Sequence, residues 1–257
     1  MIDTHSHIYS EDFRGEIDEV IIRAKEAGVS KIITPNIDSS SIKPMLDIAD
    51  DYSDMCFPLI GIHPTSVKED FEQELEVFNY WLNKREFFGI GEIGIDLYWD
   101  KTFVEEQEYV FRQQLKRAAE LKIPVVIHVR DSFEVVMKNL KLEYVNGMKG
   151  IFHCFSGNHE QAKEVLEMGF KIGVGGTVTF KNSGVDSVIS NLKPEDLVLE
   201  TDSPYLAPVP YRGKRNESSY IPLILQKISE VYSLPSKEIE LITDYSALQV
   251  FEKLKSV

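Results

Sequence analysis

The sequence has few cysteines and no long apolar run. Its two cysteines, Cys56 and Cys154, permit at most one disulfide. Both lie in apolar, strand-like segments, so we expect two buried free thiols instead. No segment approaches the roughly 18 consecutive apolar residues of a membrane-spanning helix, and none is expected. The first residues lack the basic and apolar regions of a secretory signal, which predicts a cytoplasmic protein.

Basic residues are also scarce, since 28 Lys and Arg stand against 42 Asp and Glu, for a net charge of −14. A broad nucleic-acid-binding surface normally needs clustered cations, so this balance argues against one. Nucleic acid held locally, by bound metal ions and a small basic patch, stays possible. The one dense basic cluster consists of Arg212, Lys214 and Arg215. We interpret it as an anion-binding rim, with a solvated loop as the alternative.

Strand-like segments alternate with amphipathic helical patterns along all 257 residues. Most of the strand-like segments are almost continuously apolar, as parallel strands are when both of their faces are buried. The predicted strands are 2–5, 31–35, 55–62, 88–93, 124–128, 150–153, 170–174 and 196–200. Helices are predicted in between and, near the end, over 220–232 and 236–254. Eight such alternations predict one α/β domain over residues 1–257, a (β/α)8 TIM barrel, with a doubly wound open sheet as the alternative.

Histidines and carboxylates stand at or just after the C-terminal ends of these strands. His5 and His7 are two residues apart on an extended segment, so both side chains can reach one metal ion. In a barrel, the C-terminal ends of the strands converge, whereas in an open sheet they lie along a line. The positions of these histidines and carboxylates at the strand ends therefore favour the barrel. Imidazoles and carboxylates are the usual ligands of divalent metals. The candidate ligands are His5, His7, Glu92, His128, His153 and Asp202.

Several of these residues suggest further roles. Glu92, central at the barrel mouth, can bridge two cations through its two oxygens, and Asp96 can support the ligands. Asp202 can bind metal and also take a proton from an attacking water. His63 is interpreted as a catalytic or substrate-contacting imidazole, with a turn residue before Pro64 as the alternative. Arg130 is either an ion-pair partner or a contact to a substrate phosphate.

Three nearby side chains are expected to have other roles. Glu200 is predicted to face away from the site. His159, at a helix start, is predicted to lie on the surface. Cys154 follows His153 directly and would point the other way if the strand continues, so we do not count it as a ligand. The pattern as a whole indicates a metal-dependent hydrolase.

Five segments together resemble the TatD family of metal-dependent deoxyribonucleases, and the resemblance covers essentially the whole chain. The matching segments are Asp3-Thr4-His5-Ser6-His7, Gly61-Ile62-His63-Pro64, Gly91-Glu92-Ile93-Gly94-Ile95-Asp96, His153-Cys154-Phe155-Ser156-Gly157 and Glu200-Thr201-Asp202-Ser203-Pro204-Tyr205-Leu206. The segment Arg212-Gly213-Lys214-Arg215-Asn216-Glu217 also matches. The chain departs from the family pattern at Ser218, where proline is usual, and at Leu97, where tyrosine is common.

The resemblance implies a two-metal centre. His5, His7 and Asp202 would hold one divalent cation, His128 and His153 the second, and Glu92 both. The cations are expected to be Mg, Mn, Zn or Ni. The implied reaction is phosphodiester hydrolysis of DNA, at single-stranded or frayed ends, by an exonuclease with a metal-activated water.

Two alternative functions stay open at this point. One is an ester or amide hydrolase of the same superfamily, such as an aminoacyl-tRNA deacylase. The other is a non-catalytic metal-binding scaffold. The expected partner is DNA as substrate, with no membrane, and a monomer is favoured over an oligomer.

Overall fold

Strands and helices alternate regularly in the computed structural model, which describes residues 1–257. The strands are β1 (Ile2–Asp3), β2 (Lys31–Pro35), β3 (Cys56–Leu59), β4 (Ile90–Asp96), β5 (Val125–Arg130), β6 (Gly150–Phe152), β7 (Lys171–Val174) and β8 (Leu197–Leu199). The helices are α1 (Ile17–Glu26), α2 (Ser39–Asp51), α3 (Phe71–Lys84), α4 (Val104–Leu121), α5 (Phe133–Glu143), α6 (His159–Glu167), α7 (Val185–Ile189), α8 (Ile221–Tyr232) and α9 (Ser236–Val250).

The eight strands close into a barrel. Parallel ladders join β1 to β3 and β4 to β8 in chain order. A parallel bridge between Ile60 and Ile90 connects the two ladders. The first and last strands meet because the Thr4 N–H donates to the Leu199 carbonyl at 2.9 Å. The predicted (β/α)8 barrel is therefore confirmed, and the open sheet is excluded.

The strand predictions were close. Several strands begin one or two residues later than predicted, and the larger differences lie at the C-terminal ends. The predicted 31–35 coincides with β2, whereas β1 stops at Asp3 instead of residue 5. Beyond Asp3 the backbone leaves the regular ladder and bonds to single carbonyls across the barrel mouth; the Ser6 N–H, for example, donates to the Ile33 carbonyl. In contrast, β4 and β5 continue further than predicted, because they pair with each other up to Asp96 and Arg130.

Side-chain caps fix the beginnings of two helices. The Asp38 carboxylate accepts the N–H of Ser41, whose hydroxyl accepts the N–H of Asp38, and α2 follows. Asn158 and Gln161 make the same reciprocal pair at the start of α6. Such capping boxes satisfy N–H groups that have no partner inside the helix. His159 begins α6 and is exposed, as predicted.

Alternation along the strands divides the core into two layers. In β2, Ile32 packs in the larger cluster between strands and helices, and its neighbour Ile33 belongs to the smaller cluster inside the barrel. The inner cluster is completed from below by four side chains of the C-terminal segment: Ala247, Val250, Phe251 and Leu254. The end of the chain thus closes the N-terminal end of the barrel, and the opposite end is left for the polar groups.

Both cysteines are free thiols, as predicted. Cys56 is buried, but Cys154 is partly exposed, which corrects the expectation that both are buried. The difference arises because Cys154 lies beyond the end of β6, with a left-handed backbone (φ 45°). None of the helices is long and apolar enough to cross a membrane.

The closure of the barrel bottom predicts a large loss of stability for Phe251→Ala. The Phe251 ring is 1% exposed, so its removal should leave a cavity and cost roughly 3–5 kcal/mol in the free energy of unfolding. Urea unfolding of the metal-free protein measures this. Tyr245→Ala is the matched control. It also removes an aromatic ring, from α9, but Tyr245 is 60% exposed. Equal urea midpoints for the two variants would contradict the assignment of Phe251 to the barrel core.

Candidate metal centre

The polar side chains at the C-terminal ends of the strands converge on the carboxylate of Glu92. Its Oε2 lies 3.2 Å from His5 Nε2 and 3.4 Å from His7 Nε2. Its Oε1 lies 2.8 Å from His128 Nδ1 and 3.1 Å from His153 Nε2. The Glu92 side chain is only 3% exposed. One buried carboxylate therefore has imidazoles against both of its oxygens.

Asp202 approaches the same point from the loop after β8. Its Oδ1 lies 3.8 Å from the Nε2 atoms of both His5 and His7. Its backbone is left-handed (φ 58°), a conformation that Asp tolerates better than most residues. The Asp202 N–H donates to the His5 carbonyl, and the buried Asn216 amide donates to the carbonyls of Thr201 and Tyr205 on either side. These bonds hold the carboxylate over the barrel.

The donor atoms fit divalent cations. Ligand atoms about 2.1 Å from a tetrahedral ion lie roughly 3.4 Å apart, and the Glu92, His5 and His7 separations of 3.2–3.4 Å match this spacing. His5 Nε2 and His7 Nε2 face each other at 3.2 Å, so a proton or a cation must lie between them. Three groups of donor atoms are close enough to hold an ion: His5/His7/Glu92, His5/His153/Asp202 and His63/Glu92/His128.

In some of the candidate ligands, the ring nitrogen that does not face Glu92 contacts another polar side chain. Asp96 Oδ2 lies 2.9 Å from His128 Nε2, and Tyr9 Oη lies 3.0 Å from His7 Nδ1. Such contacts fix the orientation and the tautomer of ligating histidines. An anionic oxygen at His128 Nε2 favours a proton there, so Nδ1, beside Glu92, is the nitrogen that could bind a cation. Asp96 thus supports a candidate ligand.

Glu200 does not face away, contrary to the sequence-based prediction. It is fully buried behind His153, with Oε1 at 3.2 Å from His153 Nδ1 and accepting the Cys154 N–H. Alternation along β8 agrees with this position, because Val198 belongs to the inner cluster whereas Leu197 and Leu199 belong to the outer one, which puts Glu200 on the inner side. Gly173 makes the space, because a Cβ there would lie 2.4 Å from Glu200 Oε2.

The ring nitrogens of His63 have different partners from those of the candidate ligands. Thr65 contacts His63 Nδ1 with its backbone N–H at 3.2 Å and with its hydroxyl at 2.6 Å. Because the N–H can only donate, we assign Nδ1 as the acceptor and place the ring proton on Nε2. Burial lowers the pKa of His63, which keeps the ring neutral. The Nε2–H then points toward Glu92 Oε1, 3.4 Å away, and toward the cleft. This geometry suits a hydrogen-bond donor to substrate, and His63 also caps the turn that follows it.

Charges in the centre are strongly coupled. Burial raises the pKa of Glu92, but the surrounding histidines outweigh it and hold this pKa well below its usual range. Burial lowers the pKa of His153, but Glu92 and Glu200 raise it well above the ordinary value. Burial lowers the pKa of His5 well below the ordinary value, and it raises that of Asp202 to about 6. Without a cation, a protonated His153 therefore compensates the Glu92 charge.

A cleft of about 430 Å³ opens above the centre. Its walls include Trp99, Arg130, Tyr205 and Leu206, beside the candidate ligands. Arg130 forms no ion pair; its guanidinium lies 4.0 Å over the Tyr98 ring. Sequence analysis missed the aromatic residues. The available signal was the Tyr98-Trp99 pair, which follows Asp96 and Leu97 just beyond the end of β4.

The basic cluster does not line this cleft. The Arg212 guanidinium packs 4.6 Å over the Phe180 ring, and Lys214 lies 5.8 Å over Tyr211. Arg215 donates to Glu16 Oε2 at 2.9 Å and to the Asp12 carbonyl, so its charge is already paired. The following Glu217 makes a bidentate pair with Arg23. Much of this segment thus fastens the loop after β8 to α1 and its preceding turn.

Comparisons with known proteins agree with one another. The family model described as "TatD related DNase" matches residues 2–252. The "Uncharacterized metal-dependent hydrolase YabD" of Bacillus subtilis (strain 168) is 36% identical over 98% of both chains. The "3'-5' ssDNA/RNA exonuclease TatD" of Pectobacterium parmentieri is 31% identical over 98% of this chain and 99% of its own. The crystal structure of YjjV, a TatD homolog from Escherichia coli K12, superimposes with a TM-score of 0.92 at 30% identity, over 98% of each chain.

The charge coupling predicts that cation binding releases protons. The pKa of His153 is raised well above its ordinary value by Glu92 and Glu200, and that of His128 is raised by Asp96 and Glu92. A ligated cation must displace the protons that these rings hold. Metal affinity should therefore fall as pH falls below those pKa values. Calorimetric titration with Zn²⁺ or Mn²⁺, in two buffers of different ionisation enthalpy, measures the protons released.

His153→Gln should release fewer protons on metal binding, and His159→Gln, which changes an exposed imidazole, should behave as the wild type. Metal binding to the wild type without any proton release, at a pH below 7, would show that His153 is not protonated in the metal-free centre.

Proposed function

The chain belongs to the TatD family of metal-dependent hydrolases, and on this premise we propose that it is a deoxyribonuclease that hydrolyses phosphodiester bonds at single-stranded or frayed ends. The observation that carries the proposal is the buried Glu92 carboxylate with imidazoles on both oxygens, at the floor of an open cleft. Relatives named as single-stranded DNA/RNA exonucleases support nucleic acid as the substrate class. We expect a strand end, rather than the middle of a duplex, to enter this cleft.

We assign two divalent cations to the centre. His5, His7 and Asp202 would hold one and His128 and His153 the other, with one oxygen of Glu92 for each, as the pairing of its Oε2 and Oε1 suggests. The donor set does not single out one metal among Mg, Mn, Zn and Ni. Bound there, the cations supply Lewis acidity toward a phosphoryl oxygen and lower the pKa of water.

The side chains of the protein have separate tasks in this proposal. Asp202, with a pKa raised to about 6 by burial, accepts a proton from the attacking water near neutral pH. His63 donates its Nε2–H to an oxygen of the phosphate, since its Nδ1 already accepts from Thr65. Arg130, free of ion pairs at the cleft wall, holds the next phosphate. Of the basic cluster, Arg212 and Lys214 keep charges available for more distant phosphates, whereas Arg215 is paired with Glu16.

An end-labelled substrate panel tests the function. Single-stranded DNA, duplex DNA, single-stranded RNA and aminoacyl-tRNA are incubated with the protein in Mg²⁺, Mn²⁺ or Zn²⁺. Stepwise loss of nucleotides from single-stranded DNA, dependent on the cation, is the expected result. Asp202→Asn should reduce the rate by roughly 10²–10⁴-fold, the usual contribution of a general base.

Asp51→Asn, which makes the same change at an exposed site in α2, should leave the rate unchanged, and metal content is measured for each variant. Hydrolysis of aminoacyl-tRNA with no cleavage of any polynucleotide would replace the nuclease by the deacylase alternative. A normal rate for Asp202→Asn would remove the assigned proton acceptor.

A further inference from the structure

Two exposed aromatic rings stand at the entrance to the metal cleft. Trp99 is 67% exposed and Tyr98 52% exposed. Exposed tryptophan is uncommon in a protein surface because burying it would stabilise the fold, so its exposure beside a cleft suggests a ligand. Trp99 lines the same cleft as Glu92 and His128. The ring is therefore available to a molecule whose reactive group lies at the centre.

Arg130 completes a continuous surface with these rings. Its guanidinium lies 4.0 Å over the Tyr98 ring and 5.3 Å from the Trp99 ring, and the two rings meet edge to face at 4.9 Å. Flat rings and a guanidinium plane are the groups on which nucleobases stack. The unpaired charge of Arg130 adds a contact for a phosphate. We name Tyr98, Trp99 and Arg130 the aromatic ledge.

The ledge is fixed to the metal centre by one carboxylate. Asp96 Oδ1 accepts the backbone N–H groups of Tyr98 and Trp99, at 2.9 and 3.1 Å, and its Oδ2 contacts His128 Nε2. The far end of this loop is held by the ion pair between Lys68 and Asp100, at 2.8 Å. A binding surface held in place before its ligand arrives loses less entropy on binding.

We propose that the aromatic ledge stacks the base of an unpaired nucleotide while the neighbouring phosphodiester bond lies over the metal centre. This rests on the proposed function and extends it, because it gives the reason for a preference for single strands. In a duplex each base is already stacked and paired, and presenting its face to a protein ring requires unpairing. A free or frayed end presents its base without that cost.

Binding to base-containing and abasic strands tests the ledge separately from catalysis. The chain has two tryptophans, so Trp81→Phe leaves Trp99 as the sole tryptophan fluorophore. Its quenching is titrated with oligothymidylate and with an abasic strand of equal length and charge, in EDTA and in Mn²⁺. Phosphorothioate linkages slow hydrolysis during the titration. Oligothymidylate should quench Trp99 and bind roughly 5- to 150-fold more tightly than the abasic strand, the range for stacking of one base.

Trp99→Ala should abolish the difference between the two strands, measured by anisotropy of a labelled strand. Trp99→Phe should retain part of it, and Tyr245→Ala, which removes an exposed ring elsewhere, should retain all of it. Equal affinities of wild type for the two strands, in both EDTA and Mn²⁺, would overturn the ledge even if the protein degrades DNA. Base-dependent quenching in a protein without nuclease activity would uphold the ledge and reject the proposed function.

Discussion

The buried Glu92 carboxylate is the constraint on which the centre depends. A charge taken out of water is costly unless opposite charge compensates it, and Glu92 is 3% exposed. The barrel supplies that compensation from several strand ends at once, through His5 and His7 on one oxygen and His128 and His153 on the other. Because the carboxylate needs either a protonated imidazole or bound cations beside it, metal binding and protonation compete for the same atoms.

Barrel closure keeps these groups in register. The first and last strands meet through Asp3, whose buried carboxylate accepts from Thr201 and Ser218. Burial raises the pKa of Asp3 to about 7, although these hydrogen bonds lower it. The same contact places the two halves of one candidate ligand group, His5 and Asp202, on adjacent strand ends. The contacts that close the barrel at Asp3 therefore also bring these candidate ligands together.

The strands, and the convergence of the candidate ligands at their ends, were predictable because both depend on local sequence patterns. Apolar runs mark the strands, and the side chains that follow them must converge once the strands are parallel. Residues whose role depends on distant partners were not predictable. Arg215 is paired with Glu16, almost the whole chain away, and the Tyr98-Trp99 pair has meaning only beside Arg130 of the next strand. The position of Glu200 behind His153 likewise depends on a distant residue, because a Cβ at Gly173 of β7 would lie 2.4 Å from Glu200 Oε2.

The central claim is that Glu92 is shared between two cations. Anomalous scattering from crystals grown with excess Mn²⁺ or Zn²⁺ tests it most directly. The account predicts two peaks roughly 3.5–4 Å apart, one within bonding distance of Glu92 Oε2 and the other of Glu92 Oε1. A single peak with no Glu92 oxygen in its coordination sphere would contradict it.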